Sequence, residues 1–189
     1  MSGDYGRLLT ESGVMLEGHF LLTSGRHSDR YFEKFRILES PPVCGRFAAE
    51  LVGRFRDAGV TAVCGPTTGG IIIAYEVARQ LGARCVIAEK AEGGRKIGRG
   101  FRLESGDRVL VVDDVMTTGG SLVETLAALE HRPCAVVGVG VFIDRSGGAN
   151  RLGRPYEAVY RQAAASWEPD RCPLCVRGVA LTAPGRGGR

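Results

Sequence analysis

At 189 residues, 44% apolar and 24% charged, the chain has the length and composition of one globular domain with a full core. Its formal net charge of +4 suits small anionic ligands, and its cations are scattered rather than gathered into one run, which argues against nucleic acid as a partner. No apolar run approaches the roughly 18 residues of a membrane span, and no basic region followed by an apolar segment opens the chain, so neither a membrane helix nor a secretory signal is expected and a cytoplasmic protein is.

Taken in order, residues 5–17 have weak helical periodicity through Leu8, Leu9, Val14 and Leu16, ending near Gly18. Residues 20–22 are a short apolar strand, 23–30 a polar turn and 31–35 a second strand. Pro41-Pro42 opens a helix with Phe47, Leu51, Val52 and Phe55 on one face. Residues 61–64 form a buried strand, 65–70 a turn, and 71–81 a helix stopped by Gly82. Residues 85–88 are a strand, and 90–100 a loop rich in glycine and cations. Strands at 109–112, 135–143 and 158–160 follow, with a helix from 122 to 131 between the first two. This alternation predicts a parallel α/β sheet with ligands at the strand carboxyl ends. Gly185-Arg-Gly-Gly-Arg189 is expected to be disordered.

The most informative stretch is Arg108-Val109-Leu110-Val111-Val112-Asp113-Asp114-Val115-Met116-Thr117-Thr118-Gly119-Gly120-Ser121. A buried strand runs into two carboxylates, then a Thr/Gly turn, then a helix. Glycines let backbone approach a ligand, and the helix start offers unpaired N–H groups and a positive dipole end, so the turn is an anion site, foremost for phosphate. Asp113 and Asp114 cannot bind phosphate; they suit sugar hydroxyls or a hydrated magnesium ion. Phosphate at one end and hydroxyls with metal at the other describe a ribose phosphate.

Val-Val-Asp-Asp-Val-Met-Thr-Thr-Gly-Gly-Ser resembles the phosphoribosyl pyrophosphate (PRPP) signature of the type I phosphoribosyltransferases. The resemblance implies a Rossmann-like parallel-sheet core with helices on both faces and a small N-terminal hood. It implies one domain over 1–189, with the hood at 1–40, the core at 41–165 and a C-terminal tail at 166–189. It also implies that Asp113 and Asp114 meet the ribose hydroxyls and that the loop from Val115 through Met116, Thr117, Thr118, Gly119 and Gly120 to Ser121 wraps the 5′-phosphate.

Gly65-Pro66-Thr67-Thr68-Gly69-Gly70 repeats the strand–turn–helix logic at a second strand end. In the resembling family the matching loop binds pyrophosphate, placing Thr67, Thr68 and Gly69 in the PRPP site. Many orotate enzymes of the family carry lysine where this chain has Gly69, so charge neutralisation must come from elsewhere. Lys90, Arg95, Lys96 and Arg99 lie among four glycines in residues 89–100, a composition suited to a mobile lid or to a solvated hairpin tip. By resemblance the lid carries the catalytic lysine, reaches the neighbouring subunit of a homodimer with shared sites, and contacts PRPP. Lys90 is aligned to that lysine, with Lys96 and Arg99 as alternatives.

Thr23-Ser-Gly-Arg-His-Ser-Asp-Arg-Tyr31-Phe32 is similar to the N-terminal element of the orotate phosphoribosyltransferases, where two aromatics flank the base. Tyr31 and Phe32 read equally as core and as ligand contacts. The lysine usual before Ser-Gly is Thr23 here, and Arg26 and His27 are candidate replacements. Arg145, after Asp144 at a strand end, suits a carboxylate fork, and by resemblance it contacts orotate, as does Thr117. The implied activity joins orotate and PRPP to give orotidine 5′-monophosphate and pyrophosphate, with Mg2+ held mainly by PRPP and no metal ligand assigned to the protein beyond this. A purine phosphoribosyltransferase and a PRPP-sensing regulator are the alternatives.

Cys44, Cys64, Cys85 and Cys134 lie in apolar segments and read as reduced core thiols. Cys172-Pro-Leu-Cys175 has zinc-ligand spacing, but four ligands are needed and the sequence shows no second pair. It reads as a packed turn, with a zinc ion shared by two chains, or a redox role, as alternatives. His19 and His131 receive no role.

Overall fold

The structure, a computed structural model, describes residues 2–22, 24–98, 100–163 and 165–184. In chain order its elements are α1 (Ser2–Glu11), β1 (Met15–Leu21), β2 (His27–Phe32), α2 (Phe35–Leu38), α3 (Pro41–Phe55), β3 (Ala62–Pro66), α4 (Gly69–Leu81) and β4 (Arg84–Ala91). They continue with β5 (Gly94–Ile97), β6 (Asp107–Met116), α5 (Gly120–Glu130), β7 (Cys134–Asp144), β8 (Glu157–Arg161), β9 (Ser166–Trp167) and α6 (Pro173–Val176). They fall into two compact units, one of residues 1–36 with 163–189, the other of 37–162. The glycine-rich end predicted to be disordered lies outside the described residues, as do Thr23 and Arg99.

The larger unit is built on a six-stranded sheet in the order β5-β4-β3-β6-β7-β8, parallel except for the β4–β5 pair. Its central strands are apolar on both sides because both faces are covered. Ala62, Cys64, Val109, Val111, Val139 and Val141 point to the face that packs Leu122, Leu126 and Leu129 of α5. The alternate residues face α3 and α4: Phe47 stacks on Phe142 at 5.2 Å between ring centroids. At Gly138 the sheet is bare backbone under Phe55; a Cβ there would sit 2.4 Å from its ring.

The order β4-β3-β6 makes the junction of β3 and β6 the point where the chain reverses its direction of winding, and ligand crevices open there at the strand carboxyl ends. The opposite end is braced by Asp107. Its Oδ1 accepts from Thr61 Oγ1 (2.8 Å) and Arg84 Nη2 (2.5 Å), and its Oδ2 from the Glu104 N–H (2.7 Å). One carboxylate thus ties the starts of β3, β4 and β6 together.

The smaller unit carries the antiparallel sheet β1-β2-β9. Here the sequence reading needs correction. The first helix stops at Glu11, Ser12 donating its hydroxyl to the Leu8 carbonyl (2.6 Å), and residues 15–21 are already strand. The second strand ends at Phe32, and Phe35 starts a helical turn instead. In the larger unit, residues 89–97 are a hairpin rather than a loop: β4 runs on to Ala91 and pairs back with β5 around Glu92-Gly93. No helix of the described residues is long and apolar enough to cross a membrane.

The Arg84 guanidinium, with the Glu104 N–H and Thr61 hydroxyl, holds the Asp107 carboxyl down at about 2 despite its burial. A carboxyl depressed in the folded state stabilises above its unfolded value of roughly 4, and that contribution fades as pH falls through the folded value. Asp107→Asn is therefore expected to cost about 1.5–3 kcal/mol at neutral pH, the scale of a charged hydrogen bond. The gap between the urea midpoints of the two proteins should begin to narrow below roughly pH 4 and close only as pH approaches the folded value of about 2; a gap independent of pH would show that the charge is not what braces the strands.

Candidate active site

The strand β6 carries its apolar run past the sheet centre and straight through the acidic pair, so that Asp113 and Asp114 are themselves strand residues, 8% and 4% exposed. Each fixes its own backbone: Asp113 Oδ1 accepts the Asp114 N–H (2.9 Å), and Asp114 Oδ1 accepts the Val115 N–H (2.6 Å). These bonds hold both carboxylates against the strand end beside the turn that follows.

Past Met116 the chain turns through Thr117 and Thr118 into α5. Gly119 stands before the helix at φ 80°, left-handed backbone that a side chain disfavours, and no side chain caps the helix start. The N–H groups of the first turn therefore open into a recess of about 130 Å³ lined by residues 113 and 115–122. Thr117, Thr118 and Gly120 are exposed there and Ser121 is half-buried. The loop is pinned from outside: the Arg151 N–H donates to the Thr118 carbonyl (2.9 Å), and the Arg145 N–H to the Met116 carbonyl (2.8 Å). Backbone donors, three hydroxyls and a helix dipole in a small polar recess make an anion cradle.

The second turn lies against the first. A Cβ on Gly69 would come within 2.0 Å of Asp114 Oδ2, and one on Gly65 within 2.1 Å of the Gly70 carbonyl. A side chain at 69 would require Asp114 to shift, and the lysine of many orotate enzymes has no counterpart here. The Thr67–Thr68 peptide is cis, Thr67 is half-buried and Thr68 exposed.

Arg95 is the member of this site that the sequence did not single out. Its side chain is 3% exposed. Nη1 donates to Thr67 Oγ1 (3.1 Å), the Thr67 carbonyl (3.3 Å) and the Ala88 carbonyl (3.1 Å), and Nη2 to Ser121 Oγ (3.4 Å). One guanidinium thus spans both turns. Lys90 is its direct partner in the β4–β5 register, so the two project from the same face of the hairpin, and Lys90 is exposed. Lys96 pairs with Glu89 and projects from the other face.

At the end of β7, Asp144 is 5% exposed. Burial pushes its carboxyl up, but the Tyr156 hydroxyl (2.6 Å), the Ser146 N–H (2.8 Å) and the nearby Arg161 outweigh this and hold it below the ordinary range. The carboxylate is a local brace, and half-buried Arg145 follows it directly. Tyr31 and Phe32 belong to β2 of the smaller unit, Tyr31 half-buried and Phe32 5% exposed.

The family model of the phosphoribosyl transferase domain matches residues 36–161. The chain is 44% identical over 178 residues to an orotate phosphoribosyltransferase of Desulforamulus reducens, covering 94% of this chain and 93% of that one. It is 46% identical to that of Pelotomaculum thermopropionicum, covering 94% of each. Among solved structures, the orotate phosphoribosyltransferase of Aeropyrum pernix superposes with a TM-score of 0.69 at 29% identity, over 82% of this chain and 92% of the other. An anion cradle beside a buried acidic pair, at the winding reversal of a parallel sheet, is thus the local form of a shared architecture, and the chain belongs to the phosphoribosyltransferase family and, within it, to the orotate phosphoribosyltransferases.

Proposed function

We propose that the chain transfers the ribose 5-phosphate group of PRPP to orotate, giving orotidine 5′-monophosphate and pyrophosphate in pyrimidine synthesis. The observation that carries this reading is the pairing of the 117–121 cradle with Asp113 and Asp114 on one strand end. The 5′-phosphate sits on the helix start, and the carboxylates accept hydrogen bonds from the ribose hydroxyls. The C1–oxygen bond to pyrophosphate breaks as the orotate nitrogen closes on C1, through a transition state with oxocarbenium character. The 67–69 turn receives pyrophosphate, and Lys90, on the same hairpin face as Arg95, is the cation placed to balance the leaving group's charge. Lys96 and, outside the described residues, Arg99 complete the basic segment. Tyr31 and Phe32 are proposed to flank the base, Thr117 to contact it, and Arg145 to take the orotate carboxylate. Mg2+ suits the site, because two buried carboxylates offer the oxygen donors it prefers; riding on PRPP, it would neutralise pyrophosphate. The protein is read as cytoplasmic.

Orotate consumption, followed by its own absorbance, is expected only with PRPP and Mg2+ together, and Arg145→Ala should raise the KM for orotate roughly ten- to a hundred-fold with little change for PRPP. Turnover of a purine base with orotate inert would overturn the assignment, and PRPP binding without turnover of any base would favour a sensor.

Gly69→Ala is expected to lower kcat/KM by about 100-fold or more, since the new methyl must displace Asp114 or the turn. Wild-type kinetics in that variant would show that the close approach is dispensable.

A homodimer with shared sites is proposed as the working form. Ile72 and Tyr75 of α4 are 45% and 65% exposed beside an apolar cleft of about 470 Å³ that also includes Leu38, Pro41 and Phe101, a surface suited to a second copy. Sedimentation velocity should give a dimer that Tyr75→Asp weakens; an active monomer would remove the proposal.

A further inference from the structure

The smaller unit holds a group of side chains that orotate transfer does not use. His19 of β1, His27 at the start of β2, and Cys172 and Cys175 around the start of α6 bring one ligand atom each within 4.8 Å of one another. His19 Nε2 lies 2.9 Å from His27 Nδ1, 3.5 Å from Cys172 Sγ and 3.8 Å from Cys175 Sγ, and Cys175 Sγ lies 3.3 Å from His27 Nδ1. We propose that these four side chains form a tetrahedral Cys2His2 site for a structural zinc ion.

Three observations carry it. Zinc–nitrogen bonds of about 2.0–2.1 Å and zinc–sulfur bonds of about 2.3 Å make tetrahedral edges of roughly 3.3–3.8 Å; four of the six separations here run from 2.9 to 3.8 Å, and all six lie within 4.8 Å. Second, the outer shell is in place. His19 Nδ1 lies 2.7 Å from the Val179 carbonyl, which can only accept, so Nδ1 bears the proton and Nε2 turns its single lone pair toward the cluster. As a hydrogen-bond network the cluster is poor, since three groups crowd one lone pair; one cation at the centre satisfies all four. Third, the backbone is shaped for it. The β1–β2 register slips by one residue between Glu17 and Phe20, a bulge that lets His19 and Phe20 both turn inward.

The sequence pattern concealed this because the second pair of ligands is the two histidines, 148 to 156 residues from the cysteines they meet. His27, one of two candidates for the cation lost at Thr23, is 6% exposed and turned to the cluster. With four protein ligands no position is left for water or substrate, so the ion is structural. Its role follows from what it joins. Thr182 donates its N–H to the His19 carbonyl and accepts the Leu21 N–H, each at 2.8 Å, so zinc and backbone together fasten the C-terminal segment to the hairpin. A unit of fewer than about 70 residues needs such a staple.

The test uses the untagged full chain, grown with zinc and purified under reducing conditions without chelator. Elemental analysis should give one zinc per chain, and Cys175→Ser and His27→Asn, one at an exposed and one at a buried ligand, should each lose most of it while keeping the circular dichroism of the larger α/β unit. Exchange with cobalt(II) should give the strong visible bands of a tetrahedral ion with thiolate charge transfer, and chelation should speed hydrogen exchange in residues 166–182 with little change in 107–144. Zinc at trace level in the wild type, an octahedral cobalt spectrum, or a mass two hydrogens light from a Cys172–Cys175 disulfide would each overturn the site.

Discussion

The active site depends on one close approach: the 65–70 turn lies directly on Asp114. Adjacent parallel strands place their ends side by side, and the site uses that spacing with nothing between. A side chain at 69 would displace Asp114, so position 69 contributes no charge here, and the cations nearest the turn come from the β4–β5 hairpin. Arg95 enters buried and joins the Thr67 turn to Ser121, while Lys90 on the same face stays in solvent. Glycine at one position and arginine at another are two answers to a single steric limit.

The two ends of the large sheet are electrostatic opposites in purpose. At the carboxyl end, Asp113 and Asp114 are buried beside a helix start with no side-chain cap, and each accepts the N–H of the residue that follows it. At the other end Asp107 is fully engaged by Thr61, Arg84 and the Glu104 N–H, and contributes stability to the strands that carry the site. The strand thus carries carboxylates at both ends, a pair at the proposed ligand site and a single brace at the other.

What the sequence disclosed was local. Residues 108–121 contain strand, carboxylates, turn and helix start in one run, so their chemistry could be read before any fold was known. The helix of Pro41–Phe55 and the stop at Gly82 were equally plain, from apolar spacing and a terminal glycine. Arg95 was not, because its partners Thr67, Ala88 and Ser121 come from three other elements and its own strand is only four residues long, begun by glycine. Nor was the extent of β1, where a bulge breaks the alternation that marks a strand. Periodicity reports neighbours along the chain, and these features are made by neighbours across it.

The smaller unit is assembled from residues 1–36 and 163–189, two stretches far apart in the sequence. This orders events on the ribosome. Residues 37–162 can collapse as they emerge, but the β1–β2 hairpin has no β9 to pair with until residues 166–167 have been made. At about 5–20 residues per second, the wait is on the order of ten seconds. Throughout it the edge of β2 that β9 will occupy stays open, so the hairpin is exposed to mispairing until residues 166–167 arrive.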